Sequence, residues 1–378
     1  MITLDVATIA RAMDGTVVGC APTALVTGQV HTDSRQIQPG DCFVAIAGES
    51  VDGHRFAEQA VAAGAVVVIS ERDIETPHIR VDSTVTALGK LAAYVLATLR
   101  AAGPIEVVGI TGSSGKTTTK DMLYAILNAA GPTVAPISSF NNDIGLPLTV
   151  LRCDMNTRYL VAEMGAACAG ELTRLTTICP LDIACVLMVG HAHLGGFGSI
   201  DDVATAKSEL VQNLPSHARI VLNADDPRVA AMASRASITG GGALPSEQVY
   251  WFSATKAVPV GGYATDVSCD SFGRASFTAV FDQHSEPVNL AISGVHHVNN
   301  ALAALTAAWL LGVDMKIAAA TVGTASVSAH RMALTQRPDG ITIVDDAYNA
   351  NPESMRAALR TVAAMPATRP IAVLGSML

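Results

Sequence analysis

Residues 105–119 read IEVVGITGSSGKTTT. The first six form a short run rich in β-branched apolar side chains, as expected of a strand buried on both faces of a parallel sheet. A small-residue turn follows, Gly112-Ser113-Ser114-Gly115, and Lys116-Thr117-Thr118 opens a stretch with helical spacing through residue 130. The spacing Gly112-x-x-Gly115-Lys116-Thr117 is that of the second half of a phosphate loop. Ile110 stands where the general G-x-x-x-x-G-K-[ST] pattern has its first glycine. The chemistry does not need that glycine. Gly112 and Gly115 let backbone N–H groups turn towards an anion, and the helix start adds its partial positive charge. Ser113, Ser114 and Thr118 complete the cradle, Lys116 is placed to reach the β- and γ-phosphates, and Thr117 offers a hydroxyl to Mg²⁺. A phosphate loop by itself implies a nucleoside triphosphate such as ATP and does not name the reaction.

Working outward, the pattern of strand then helix recurs. Residues 159–164, 183–189 and 219–223 read as strands, and 117–130, 201–213 and 227–235 as helices. This predicts an α/β fold whose centre is a doubly wound parallel sheet. Residues 240–292 are glycine-rich with short alternating strands, including 250–253 and 275–281, and read as an antiparallel insertion or sheet edge. Helix 299–311 closes the block. Upstream, 41–47 and 65–70 read as strands and 54–63 as a helix stopped by Gly64. Another helix spans 84–100 and ends at the breaker Ala101-Ala102-Gly103-Pro104. Beyond residue 328 come a strand at 341–346, a helix at 353–364 and a strand at 371–374. The expected domains are 1–82, 83–327 and 328–378, the last incomplete, because some 50 residues bury little core.

The chain has 378 residues, half of them apolar and only 15% charged, with a net charge of −9. No basic block occurs, which argues against duplex nucleic acid as a partner. No uncharged apolar stretch reaches the ~20 residues of a membrane span. The seven cysteines are scattered and form no C-x-x-C pair, so they read as small buried hydrophobes. The N-terminus lacks a basic segment before an apolar core. A cytoplasmic protein without membrane insertion is the expectation.

Three residues fall at or near expected strand ends. In open α/β sheets the ligand crevice lies at the carboxyl ends of the strands, so Glu163 and His193 are expected in the crevice of Lys116. Glu163 suits a hard cation, although a solvated strand end reads equally well. His191 and His193 read as loop or core imidazoles. Lys207, on the helix at 201–213, is a surface lysine by residue type, since an ammonium repels Mg²⁺.

These motifs resemble the ATP-dependent Mur ligases of bacterial peptidoglycan synthesis, over essentially the whole chain. The strings are Thr32-Asp33-Ser34-Arg35, the loop at 111–118, Asn141-Asn142-Asp143-Ile144-Gly145-Leu146-Pro147-Leu148-Thr149, Ala162-Glu163-Met164-Gly165 and Ala192-His193-Leu194. They continue with Ala206-Lys207-Ser208-Glu209-Leu210, Asn300-Ala301-Leu302-Ala303-Ala304, His330-Arg331-Met332 and Asp345-Asp346-Ala347-Tyr348-Asn349-Ala350-Asn351-Pro352. The Asn141 and Asp345 strings look most like the branch that joins D-alanyl-D-alanine to UDP-N-acetylmuramoyl-tripeptide.

The resemblance implies three domains: one for the UDP-sugar, a central ATPase domain and a C-terminal dinucleotide-fold-like domain. It implies that Lys207 is carbamylated by CO₂ and that the resulting anion binds Mg²⁺ with Glu163 and His193. It implies Asn300 at adenine, Asp346 at ribose, Arg331 near the γ-phosphate, and Ser34, Arg35, Asn141 and Asn142 around the UDP-muramoyl substrate. The implied reaction forms an acyl phosphate on the substrate carboxylate, which the dipeptide amine attacks, with Lys116, Lys207, His193 and Arg331 as the catalytic set. The implied setting is a cytoplasmic, monomeric enzyme of cell-wall synthesis, with consequences for cell shape and division.

Four positions depart from the family pattern. Met188 and His297 each replace an Asn, Gly195 a Glu and Ser376 an Asp. The chain stops within the third unit, so weak or absent ligation by these residues alone is expected. Folylpolyglutamate synthase shares the loop and the modified lysine but lacks a UDP-sugar domain, against residues 1–82. The ligases that add the third amino acid look different at the YNANP string. A nucleotide-gated switch that uses the loop for binding only is a third reading.

Overall fold

The computed structural model describes residues 1–48, 51–191 and 197–377. The chain divides into two compact units. The first comprises Met1–Ile105, Phe140–Leu160 and Arg174–Cys179; the second comprises Glu106–Ser139, Val161–Thr173 and Pro180–Leu378.

The first unit holds a five-stranded sheet in the order Thr16–Val18, His78–Arg80, Val67–Ser70, Cys42–Val44, Val30–His31. The first pair is antiparallel and the others are parallel. Phe43, Ala45 and Val68 pack with Ile37, Ala57, Ala60 and Ala65 into one core cluster. The expected helix at 54–63 is a 3₁₀ turn, Gly53–Phe56, running into Ala57–Ala62. Gly64 follows with φ of +109°, and a Cβ there would lie 2.7 Å from the Pro39 backbone. Helix Thr84–Ala102 is capped by Ser83 Oγ. It is long and apolar enough to cross a membrane by length and composition. Leu88, Leu91, Val95, Leu96 and Leu99 are all buried within the protein, however, as in a core helix.

The second unit is built on a nine-stranded sheet. Its order is His284–Ser293, Arg274–Phe281, Gly261–Cys269, Val249–Ser253, Arg219–Asn223, Ile183–Val186, Glu106–Thr111, Tyr159–Glu163, Thr133–Val134. The run from Glu106–Thr111 through Ile183–Val186, Arg219–Asn223 and Val249–Ser253 to Gly261–Cys269 is parallel. Gly261–Cys269, Arg274–Phe281 and His284–Ser293 form an antiparallel edge. The segment 250–253, expected in the antiparallel insertion, instead continues the parallel sheet, because Ile220–Asn223 offers it a free parallel edge. Glu106–Thr111 has Ile183–Val186 on one side and Tyr159–Glu163 on the other. The chain winds one way from this strand and later returns to wind the other way, so the loop after Thr111 lies at a topological switch point. Helix Lys116–Ala130 buries Met122, Leu123, Ile126 and Leu127 and packs beside His297–Leu310.

Two expected helices are shorter than their patterns: Ile200–Ser208 and Pro227–Ala230 each pass into a 3₁₀ turn. Ala333–Gln336 and Thr342–Asp345 form a two-stranded antiparallel sheet, followed by helix Pro352–Ala364 with a capping box at Asn351. The expected strand at 371–374 is not formed. Its apolar residues find no paired neighbour there, and Val373 is 93% exposed. An apolar run becomes a strand only where a ladder receives its N–H and C=O groups.

Gly64→Ala is expected to destabilise the first unit by about 2 kcal/mol or more, since it combines a disfavoured backbone with a backbone clash. Denaturant unfolding followed by circular dichroism measures this, and an unchanged midpoint would contradict it.

Candidate functional site

The turn after Thr111 is held open from below. Ser113 N–H donates to the Met188 carbonyl at 2.9 Å, and Ser113 Oγ receives Gly190 N–H at 2.9 Å. Gly115 has φ of +86°, and a Cβ there would lie 2.5 Å from Asn300 Oδ1. Glycine is therefore required twice over, by backbone conformation and by space. Lys116 Nζ folds back to donate to the Gly112 carbonyl at 2.7 Å, so the ammonium stands over the turn. Thr117 and Thr118 are buried at the helix start, and Ser114 is partly covered.

Charge gathers around this turn. Glu163, at the end of its strand, is 1% exposed. Burial lowers the Lys116 pKa, with Arg331 adding to the effect and Glu163 opposing it. Lys207 is 3% exposed, and burial, helped by the charge of Lys116, pushes its amine down to about 7. Arg331 Nη2 donates to Thr117 Oγ1 at 3.3 Å, and its guanidinium lies 4.1 Å from the centroid of the Tyr348 ring. The Tyr348 hydroxyl is hydrogen-bonded to Ser139 Oγ. The Lys116 and Arg331 cations, the Lys207 amine and the Glu163 carboxylate therefore gather around a phosphate-type loop, an arrangement that favours polyanions.

Beside the loop is a cavity of ≈ 240 Å³ lined by Gly115, His297, Asn300, Arg331, Asp346 and Glu353, among others. Asn300 Nδ2 donates to His297 Nδ1 at 3.0 Å, which leaves the histidine proton on Nε2. Burial lowers the pKa of His297 well below its ordinary value and that of His296, stacked on it at 4.0 Å, to about 4. Asp346 accepts Met332 N–H at 3.1 Å, and burial raises its pKa. Glu353 pairs with His191 at 2.5 Å.

Lys116, Thr117, Glu163, Lys207, Asn300, Arg331 and Asp346 all belong to the second unit. His193 lies outside the described residues. Among the described residues no group of three His, Cys, Asp or Glu side chains is disposed around a metal position. Ser34, Arg35, Asn141 and Asn142 belong to the first unit. Ser34 is buried, its hydroxyl 3.3 Å from Gln59 Oε1. Arg35 forms an exposed pair with Asp33 at 2.7 Å. Asn141 is partly buried, and Asn142 Oδ1 accepts Gly145 N–H at 2.9 Å, a turn role. Sequence reasoning misses Tyr348 and Glu353 as site residues. Tyr348 lies inside the YNANP string, where the tyrosine is available as a signal. Glu353 carries none.

The Mur ligase middle domain matches residues 110–308, the Mur ligase family catalytic domain 28–95, and the Mur ligase glutamate ligase domain 330–378. The chain belongs to the Mur ligase family. Among curated relatives, the UDP-N-acetylmuramoyl-tripeptide–D-alanyl-D-alanine ligase of Mycobacterium bovis is 43% identical over 96% of this chain and 74% of its own length. Among solved structures, MurF from Acinetobacter baumannii superposes with a TM-score of 0.86 at 32% identity, over 97% of this chain and 78% of that one. MurF ligase from Thermotoga maritima in complex with ADP gives 0.76 at 29% identity, over 90% and 76%. This Mur ligase shares their α/β architecture, and its phosphate loop lies within the middle-domain match.

Gly115→Ala in this Mur ligase is expected to weaken ATP affinity by at least about tenfold, the equivalent of a left-handed alanine's backbone cost. Calorimetric titration measures it, with circular dichroism to verify the fold.

Proposed function

We propose that this Mur ligase joins D-alanyl-D-alanine to UDP-N-acetylmuramoyl-tripeptide at the expense of ATP, releasing ADP and phosphate in a cytoplasmic step of peptidoglycan precursor synthesis. The observation that carries the reading is the phosphate loop with Lys116 folded over it and Arg331 on Thr117. Identity to the D-alanyl-D-alanine-adding relatives across 96% of the chain supports the choice of substrates.

A carboxylate resists amine attack because its leaving group would be oxide. Its oxygen therefore attacks the γ-phosphorus of ATP, the bond to the bridging oxygen breaks, and ADP leaves. The dipeptide amine then attacks the acyl carbon, loses its proton and expels phosphate. Both steps bring anions together. Lys116 and Arg331 offset that charge and hold the reacting atoms in line. Asn300 and Asp346 orient the nucleoside at the cavity beside the loop.

A divalent cation fits the donor chemistry present. The buried Glu163 carboxylate and the Thr117 hydroxyl are hard oxygen donors next to the loop. Lys207 as an amine is the wrong donor. It is buried, however, and burial pushes its amine down to about 7, so that near neutral pH a share of it is in the uncharged form that adds to CO₂. The carbamate so formed supplies oxygens and reverses the sign of the charge. Glu163, Thr117, carbamylated Lys207 and His193 would hold Mg²⁺, which when bound neutralises phosphate oxygens.

Phosphate release is expected to require both UDP-muramoyl tripeptide and D-alanyl-D-alanine. ATP binding with no peptide formation and no substrate-dependent phosphate release would favour the binding-switch reading. Lys116→Ala is expected to abolish ligation with the unfolding midpoint unchanged, and normal turnover would remove Lys116 from the mechanism. With ¹³C-bicarbonate, a carbamate resonance is expected in this chain and is expected to be absent from Lys207→Ala; its absence from both would refute the lysine assignment.

A further inference from the structure

Arg331, which the proposed chemistry brings to the γ-phosphate, stands on strained backbone. His330 and Met332 on either side have φ of 61° and 49°, left-handed values that non-glycine residues adopt at a cost. Such backbone persists only where its surroundings hold it. Downstream, Met332 N–H donates to Asp346 Oδ1 at 3.1 Å and Tyr348 N–H to the His330 carbonyl at 3.2 Å. His330 Nδ1 meets Asp345 Oδ2 at 2.6 Å.

The upstream restraint comes from Asp121. Its Oδ2 accepts both the N–H of Ser328, at 2.7 Å, and the hydroxyl of Ser328, at 2.8 Å. Asp121 lies one turn beyond Thr117 on helix Lys116–Ala130, and residues four apart share a helix face. The segment 328–331 therefore docks on this helix at two points, Ser328 on Asp121 and Arg331 on Thr117. The Asp121 carboxylate is itself fixed. Its side chain is 13% exposed, and Oδ1 pairs with Lys120 Nζ at 2.5 Å. Lys120 Nζ also donates to the Pro136 carbonyl at 3.2 Å.

We propose that Asp121 is a positioning residue: it sets the register of residues 328–332 on the phosphate-loop helix and thereby holds the Arg331 guanidinium where the γ-phosphate is met. This rests on the reading of Arg331 as a γ-phosphate contact. Asp121 acts through Ser328 and Arg331. Its loss therefore affects only ligands that Arg331 distinguishes, whereas a merely structural residue would affect all nucleotides alike.

The test is titration of ATP and of ADP, in magnesium buffer, against the parent chain, Asp121→Ala, Ser328→Ala, Arg331→Ala and the Asp121→Ala/Arg331→Ala double variant. Asp121→Ala is expected to weaken ATP about tenfold while ADP stays within about twofold, and the double variant is expected to bind ATP no more weakly than Arg331→Ala alone. Ser328→Ala keeps the Lys120–Asp121 pair and the backbone donor. It is expected to show a smaller loss confined to ATP, and it carries the test if Asp121→Ala fails to fold. Equal losses for ATP and ADP, or losses that multiply in the double variant, overturn the proposal. Wild-type ATP affinity in both Asp121→Ala and Ser328→Ala, with Arg331→Ala impaired, removes Asp121 alone. Wild-type ATP affinity in Arg331→Ala removes the γ-phosphate reading and this inference with it.

Discussion

Bringing one anion against another among buried side chains is the constraint around which the second unit is organised. Coulomb repulsion between a triphosphate and a carboxylate grows as the dielectric falls. The fold answers with a glycine-containing loop, a helix start, and Lys116, Lys207 and Arg331 near the buried carboxylate of Glu163. Those cations are costly in the absence of an anion. Burial lowers the pKa of both lysines, and Lys116 turns to a backbone carbonyl for a partner. The site thus carries a cost in the free protein that a bound polyanion relieves.

The walls of the cavity beside the loop come from stretches far apart in sequence. Ser114, Gly115 and Thr118 come from the loop, His296, His297 and Asn300 from the start of a helix, and Arg331, Asp346 and Glu353 from the C-terminal stretch. Asn351 Nδ2 reaches the Ser113 carbonyl at 3.5 Å, and Ser139 meets Tyr348. The chain beyond residue 328 is thereby tied to the loop at several points within the second unit. Any ligand that fills this cavity meets all three stretches at once.

Much of this was legible in the sequence where the physics is local. The run at 105–110 could only be a doubly buried strand, and glycines with lysine and threonine at a helix start specify their own geometry. Residues 219–223 were readable for the same reason. What depended on distant partners was not. The run at 371–374 has strand composition, yet nothing in the sequence said whether a ladder would be there to receive it. Residues 250–253 alternate, yet their direction is set by the neighbour at 220–223. Lys207 gave no sign of burial, since its cover is tertiary. Asp121 carried no motif at all, because its partner Ser328 lies 207 residues away.

The paired imidazoles at His296 and His297 give the cavity one further property. Both are buried enough to remain uncharged across the range in which cellular pH varies. The two rings therefore add no charge to the cavity, whose charged lining is Arg331, Asp346 and Glu353. A ligand held against these rings meets a wall that acts by shape and hydrogen bonding, not by a charge that comes and goes near neutral pH.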